Sequence, residues 1–261
     1  MTHMTAYGRR LVVDPQITLD DICCGAGLAA DGYGMAGARI RRGIDLVEQP
    51  LYPHPTQQRD ALEYLESDDP EDVDALHTSF PCQGRTRAGA LRIAQGGTVK
   101  WPDILDDGVH LLRTRWAHKP WIVENVDSRS VVESLAPRPG EYLVRLCGSM
   151  FGLEVQRHRW FLANFPLRQP ACDHSRFPLD PITRKPRPWG VYHVKGDSVP
   201  SGGRTALSVE HGRRVMGVSR EVPWDELKEG IPPHYTAHIS ADLVRHLLAG
   251  DAVHGRLEVP A

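Results

Sequence analysis

The chain has 261 residues, 41% hydrophobic and 25% charged, which suits one sizeable α/β domain with a small appendage. A formal net charge of −2 gives no bulk support for a nucleic-acid partner, so any basic surface must be local. Five cysteines in a chain this long do not form a secreted disulfide framework. No signal peptide or membrane-spanning run is legible, so reduced thiols in a cytoplasmic setting are expected.

Met1 to Asp14 is polar and reads as loosely packed. Ile17, Leu19 and Ile22 then lead into Cys23-Cys24-Gly25-Ala26-Gly27, the pattern of a strand, a glycine turn and a helix start. Ala29 to Ala36 continues as a helix of small residues, and Arg39 to Leu46 reads as a second strand with Asp45 near its carboxyl end. Asp60-Ala61-Leu62 precedes a charged loop over 66–72, and Val73 to Thr78 is a third apolar run ending at Phe80-Pro81-Cys82-Gln83. Gly84 to Thr98, with four glycines and three arginines, is expected to be a mobile loop. Ile104, Leu105, Val109, Leu112 and Trp116 have helical spacing. Trp121-Ile122-Val123 is a short buried strand running into Glu124-Asn125-Val126.

Strands alternating with helices predict a doubly wound, mostly parallel sheet, and chemistry in such sheets sits at the carboxyl ends of the strands. The glycine turn, Asp45, Cys82 and Glu124 all fall at such ends. From Phe165 to Arg204 the chain is proline-rich and locally basic, an irregular insert. Ser208 to Met216 reads as an amphipathic helix, Pro232-Pro233 as a break, and Ala241 to Leu248 as a closing helix.

Taken in order, these segments resemble the cytosine carbon-5 DNA methyltransferases, over roughly Leu19 to Leu248. Asp21-Ile22-Cys23-Cys24-Gly25-Ala26-Gly27 resembles that family's S-adenosylmethionine loop, Gly43-Ile44-Asp45 its ribose-binding strand end, and Arg59-Asp60-Ala61-Leu62 its adenine-contacting segment. Phe80-Pro81-Cys82-Gln83 resembles the nucleophile loop. Glu124-Asn125-Val126, Gln156-Arg157-His158-Arg159, Arg213-Arg214-Val215-Met216-Gly217 and Ile231-Pro232-Pro233-His234-Tyr235 follow as in the small phage-type members. The chain departs from the family's pattern at Cys23, where a phenylalanine is usual, and at Leu28, where a glycine is usual. It also has Gly84-Arg85-Thr86 after the nucleophile loop, and no Gly-Asn pair before Ile231.

The resemblance implies a Rossmann-like methyltransferase fold, with the catalytic domain over 1–165 and 205–261 and a short target-recognition insert over 166–204. It implies S-adenosylmethionine as cofactor, held by Asp21, Cys23, Gly25, Ala26, Gly27, Asp45, Leu46, Asp60, Ala61 and Pro81. Duplex DNA is the implied partner, touched by Gln83, Arg85, Thr86 and Arg87, with a monomer favoured. Cys82, Glu124, Asn125, Arg157 and Arg159 are the implied catalytic set.

The residue types suit that chemistry. A thiolate adding to carbon 6 of cytosine makes carbon 5 nucleophilic. A carboxyl group can supply a proton to N3, and the target atom is reachable only on a flipped-out base. The same chemistry on RNA or a free cytosine nucleotide is the alternative enzyme reading. A catalytically decayed DNA-binding protein is the non-enzymatic one. Cys172-Asp173-His174 invites a zinc reading but lacks a second Cys or His pair at metal spacing. Cys23, Cys24 and Cys147 read as packed thiols, and the reaction itself needs no metal.

Overall fold

The structure is a computed structural model that describes residues 17–67, 73–175 and 208–253. The opening segment, 1–16, and most of the expected insert, 176–204, lie outside the described residues.

Seven strands form one sheet. In chain order they are β1 (Thr18–Ile22), β2 (Arg39–Asp45), β3 (Thr56–Gln58), β4 (Ala75–Thr78), β5 (Trp121–Val126), β6 (Tyr142–Leu146) and β7 (Arg159–Ala163). Their spatial order is β3-β2-β1-β4-β5-β7-β6. The first five are parallel to one another, and β7 runs antiparallel to both β5 and β6. The doubly wound, mostly parallel sheet expected from the alternation of apolar runs is therefore observed. The chain builds outward from β1 to β3 and then restarts on the other side at β4. The topological switch point, where ligands sit in such sheets, thus lies between β1 and β4.

The helices are α1 (Leu28–Met35), α2 (Ala61–Ser67), α3 (Arg87–Ala94), α4 (Leu105–Arg115), α5 (Arg129–Ser134), α6 (Val209–Met216), α7 (Trp224–Glu229) and α8 (Pro233–Val253). One sheet face packs on α1 and α8, burying Ala30, Tyr33, Tyr235, Ile239 and Leu243 with Leu19 and Ile122. The other packs on α2, α4 and α5, burying Tyr64, Leu112, Trp116 and Val131 with Ile22, Ile44 and Leu76. A satellite core of Leu28, Val155, Met216, Val222 and Leu227 joins α6 and α7 to the glycine turn.

Two expectations are corrected. Gly84 to Thr98 is not an open loop. A 3-10 turn over Gln83–Arg85 runs into α3, and the Thr86 side chain caps that helix by accepting from Gly89 N at 3.0 Å. Pro232-Pro233 does not stop a helix but starts one. Proline fits the first helical position because that residue's N–H has no partner within the helix. The longest helix therefore begins at Pro233 rather than Ala241. It lies against α1 at Gly32, where an added Cβ would come within 1.9 Å of Pro233 O and 2.1 Å of Thr236 Oγ1. Only hydrogen fits there, and Thr236 Oγ1 then donates to Ala29 O at 2.8 Å.

Two buried polar side chains inside the sheet, Asp20 and His77, are paired. Asp20 accepts from Arg41, Arg42 and, at 2.5 Å, the Tyr64 hydroxyl. His77 sits fully buried between Tyr33 Oη, 3.0 Å from Nδ1, and Ser79 Oγ, 3.1 Å from Nε2. Among the described residues no helix is long and apolar enough to cross a membrane.

Candidate active site

Strand register brings the site residues into one row. Ile44, Ile22, Thr78 and Val123 are neighbours across β2, β1, β4 and β5. The next residue along each strand direction is Asp45, Cys23, Ser79 and Glu124. Because β7 is antiparallel, its first residue, Arg159, reaches the same edge, where it pairs with Val126.

The glycine turn carries the strain expected of a close backbone approach. Cys23 has φ +56°, Gly25 φ +48° and Gly27 φ +82°, a region that costs a residue bearing a Cβ about 1–3 kcal/mol. Asp45 fixes the turn, accepting from Gly25 N at 3.0 Å and from Val47 N at 3.2 Å. Each oxygen keeps a lone pair for a further donor. Tyr52 closes the other side, donating to Asp21 Oδ2 at 3.0 Å and packing so tightly that a Cβ on Gly27 would meet its ring at 2.7 Å. By contrast, a Cβ on Gly25 would meet nothing within 4 Å, so this backbone faces open space. Leu46, 46% exposed, places apolar surface just past Asp45.

This is a fit for an adenosyl amino acid: an open backbone, a carboxylate with spare acceptors beside it, and a bare apolar side chain. Asp60 Oδ1 caps α2 through Leu62 N and Glu63 N at 2.8 and 3.0 Å. The Ala61 side chain is buried in the core and offers a ligand only its backbone. Asp21 is buried, with Oδ1 lacking a hydrogen-bond partner among the described residues, and burial raises its carboxyl well above the usual range.

Cys82 follows β4 on the turn set by Pro81. Asn125 holds that turn from the next strand, donating through Nδ2 to Phe80 O at 3.1 Å while its Oδ1 accepts from Val126 N at 2.9 Å. Glu124 is 8% exposed, and Arg159 Nε lies 3.1 Å from its Oε1 as an ion pair, though at an angle that makes no hydrogen bond. Burial raises the Glu124 carboxyl, with Arg159, Arg157 and a hydrogen bond from Ser79 acting against it. Burial and then Glu124 push the Cys82 thiol up, and the two arginines pull it back.

Arg157 is buried and held from behind. Its Nη2 donates to Lys228 O at 2.6 Å, and Tyr235 Oη donates to Arg157 O at 2.5 Å. Burial and the Arg159 charge lower it to about 9, which leaves it cationic at neutral pH. A thiol, a carboxyl and two guanidinium groups thus meet in one water-poor site, which can attack, protonate and hold a carbonyl oxygen.

The residues expected to touch DNA divide differently. The Arg85 guanidinium is not available to phosphates. It donates to Asp103 at 2.7 Å, Asp106 at 2.8 Å, Ser134 Oγ at 2.5 Å and Ser130 O at 3.3 Å, so it braces the Cys82 turn against α4 and α5. Thr86 is the α3 cap, and Gln83 Oε1 accepts from Lys100 N at 3.0 Å. The Arg87 side chain lies outside what is described.

Two positioning residues escaped sequence reading. Arg220 binds Asp31 at 2.8 Å, Leu51 O at 3.1 Å and Ala26 O, so it ties α1 and the glycine turn to the chain after α6. Tyr52 is the other. Neither belongs to a local motif, and their contacts span 194 and 31 residues respectively.

No family model and no curated protein matches the chain. Solved structures do. The methyltransferase EhMeth of Entamoeba histolytica aligns over 90% of this chain and 99% of its own, with TM-score 0.53 at 12% identity. A DNA modification methyltransferase encoded within an E. coli prophage aligns with TM-score 0.39 at 16% identity, over 57% of this chain. A DNMT2 variant of Spodoptera frugiperda aligns with TM-score 0.42 at 17% identity, over 60% of this chain. The chain spans about half the length of these last two, 46% and 54%. The likeness to EhMeth is one of fold: the sheet and its flanking helices have the Rossmann-like methyltransferase architecture.

Proposed function

We propose that this protein transfers a methyl group from S-adenosylmethionine to carbon 5 of cytosine in duplex DNA, through a covalent Cys82 adduct on a flipped-out base. The observation that carries the reading is the convergence of Cys82, Glu124, Arg157 and Arg159 at the strand edge that also carries the open glycine turn, one strand from β4, and Asp45, two strands from it.

The cofactor, when bound at that turn, supplies an electrophilic methyl group. Gly25 and Gly27 let the backbone approach it, Asp45 accepts from ribose hydroxyls, and Leu46 covers an apolar face. Cys82 gives up its proton and Sγ adds to cytosine C6, with Arg157 and Arg159 favouring the thiolate. Glu124, whose raised carboxyl keeps a proton available, donates to N3 as the ring becomes an enamine. Arg159 stabilises O2. Methyl transfer to carbon 5 would leave the cofactor as a neutral thioether; water then takes the C5 proton as the C6–Sγ bond breaks to free the Cys82 thiolate, and N3 returns its proton to Glu124. Asn125 holds the nucleophile turn throughout.

The test is incubation with labelled S-adenosylmethionine and duplex DNA, tRNA and dCMP in parallel, with Cys82→Ala alongside. Label in DNA that requires Cys82 is expected. Full transfer by Cys82→Ala, or preference for tRNA or dCMP, would overturn the corresponding part of the reading.

A further inference from the structure

We infer that Cys147, His158, Cys172 and His174 form a structural zinc site that fastens the first residues of the basic insert to the catalytic core. The four side chains come from two separate stretches of chain. Cys147 directly follows β6, and His158 lies between Arg157 and Arg159 where the chain turns into β7. Cys172 and His174 stand beyond β7, just before the described residues pause at 175. The pair missing from the sequence reading is thus Cys147 and His158, too far apart in the chain to show metal spacing.

One donor atom from each residue lies within 4.8 Å of all the others. Cys172 Sγ is 3.1 Å from His174 Nε2 and 3.5 Å from His158 Nε2, and Cys147 Sγ is 3.4 Å from His174 Nε2. Tetrahedral zinc with Zn–S of about 2.3 Å and Zn–N of about 2.0 Å separates sulfur from nitrogen by roughly 3.5 Å. The observed spacings match that polyhedron closely enough that small side-chain rotations complete it. Two thiols and two imidazoles are a ligand set zinc takes, and four protein ligands leave no open position, so the site is structural rather than catalytic.

The surroundings are those of a built site. The rings of His158 and His174 lie 5.2 Å apart at 57°, which directs both Nε2 atoms to the sulfurs without stacking. Ser149 Oγ stands 3.4 Å from Cys172 Sγ, and Asp173 Oδ1 shapes the turn between the two distal ligands by accepting from Ser175 N at 2.8 Å. Zinc here would fix the backbone that carries Arg157 and Arg159, since Arg159 Nη1 already donates to His158 O at 2.9 Å.

The inference does not depend on the methyl-transfer reading, and its readout is metal. The full chain, purified under reducing conditions and passed through a desalting column with a weak chelator, is expected to carry about one zinc per molecule by plasma mass spectrometry. Cobalt exchanged into it should give the strong visible bands of tetrahedral thiolate coordination. Cys172→Ser and His174→Gln, at exposed and half-exposed positions where folding is not at stake, should each lose the metal, and Ser149→Ala should weaken affinity about 10-fold. Zinc-free protein after reconstitution, unchanged zinc in Cys172→Ser, or a Cys147–Cys172 disulfide in the purified chain would each overturn it.

Discussion

Cys82 is half-buried beside the buried Glu124; desolvation raises both groups, the Glu124 charge raises the thiol further, and two arginines oppose both shifts. That coupling separates two roles which a simple loss of activity would merge. Glu124→Gln removes the proton donor, so methyl transfer should fall about 10²–10⁴-fold. It also removes a negative charge that holds the Cys82 thiol up, so alkylation of Cys82 by iodoacetamide near pH 8 should become faster. Slower alkylation would show that the carboxylate activates the thiol rather than opposing it. Cys82, Glu124 and Asp45 were legible in the sequence because each ends an apolar run on a parallel strand. The fate of Arg85 was not legible. Its partners Asp106, Ser130 and Ser134 lie on two helices, and Asp103 just before the first of them, all brought beside the turn only by the fold, so a loop arginine read as phosphate-binding is paired internally.

At the scale of elements, the nucleophile turn is supported from α4 through Gly108. A Cβ there would stand 2.2 Å from Phe80 Cζ, and Phe80 is 2% exposed with Pro81 and Cys82 directly after it. Gly108→Ala gains about 1 kcal/mol of helix propensity, but forcing a rigid buried ring aside costs about 1–3 kcal/mol. The second effect should win. A lowered urea midpoint is expected, with reduced turnover and little change in cofactor affinity measured by calorimetry. A more stable variant with full turnover would mean that the ring has room to move. The helices missed in the sequence, α2, α3, α5 and α7, are eight residues or fewer and show little apolar periodicity, whereas α1 and α6, equally short, are marked by small residues after the glycine turn and by an amphipathic pattern. Strands β3, β6 and β7 were missed too, β3 because it is three residues long and β6 and β7 because they pair antiparallel outside the alternation of strand and helix, whereas β1, β2, β4 and β5 follow that alternation and end at the chemistry.

For the whole molecule, the buried neutral His77 sets a pH limit. Burial lowers it from 6.5 to about 3. The unfolded chain therefore takes up a proton below about pH 6.5 that the folded chain refuses until about pH 3, and stability should decline across that window as pH falls. Comparing urea midpoints at pH 7.5 and 5 for the native chain and His77→Gln isolates the effect, because other titrating groups are common to both. Equal slopes would assign the acid sensitivity elsewhere. The close packing of α1 on α8 at Gly32 has a consequence for biosynthesis. Among the described residues, the helix that follows the glycine turn is covered by residues 233–253. During translation the turn, the nucleophile and the carboxyl all leave the ribosome with one face of their sheet bare, and they await a helix made more than 190 residues after the one it covers. Nascent chains should therefore be bound by chaperones until residues 233–253 emerge, and competence to modify a substrate should arrive with that helix rather than build up before it.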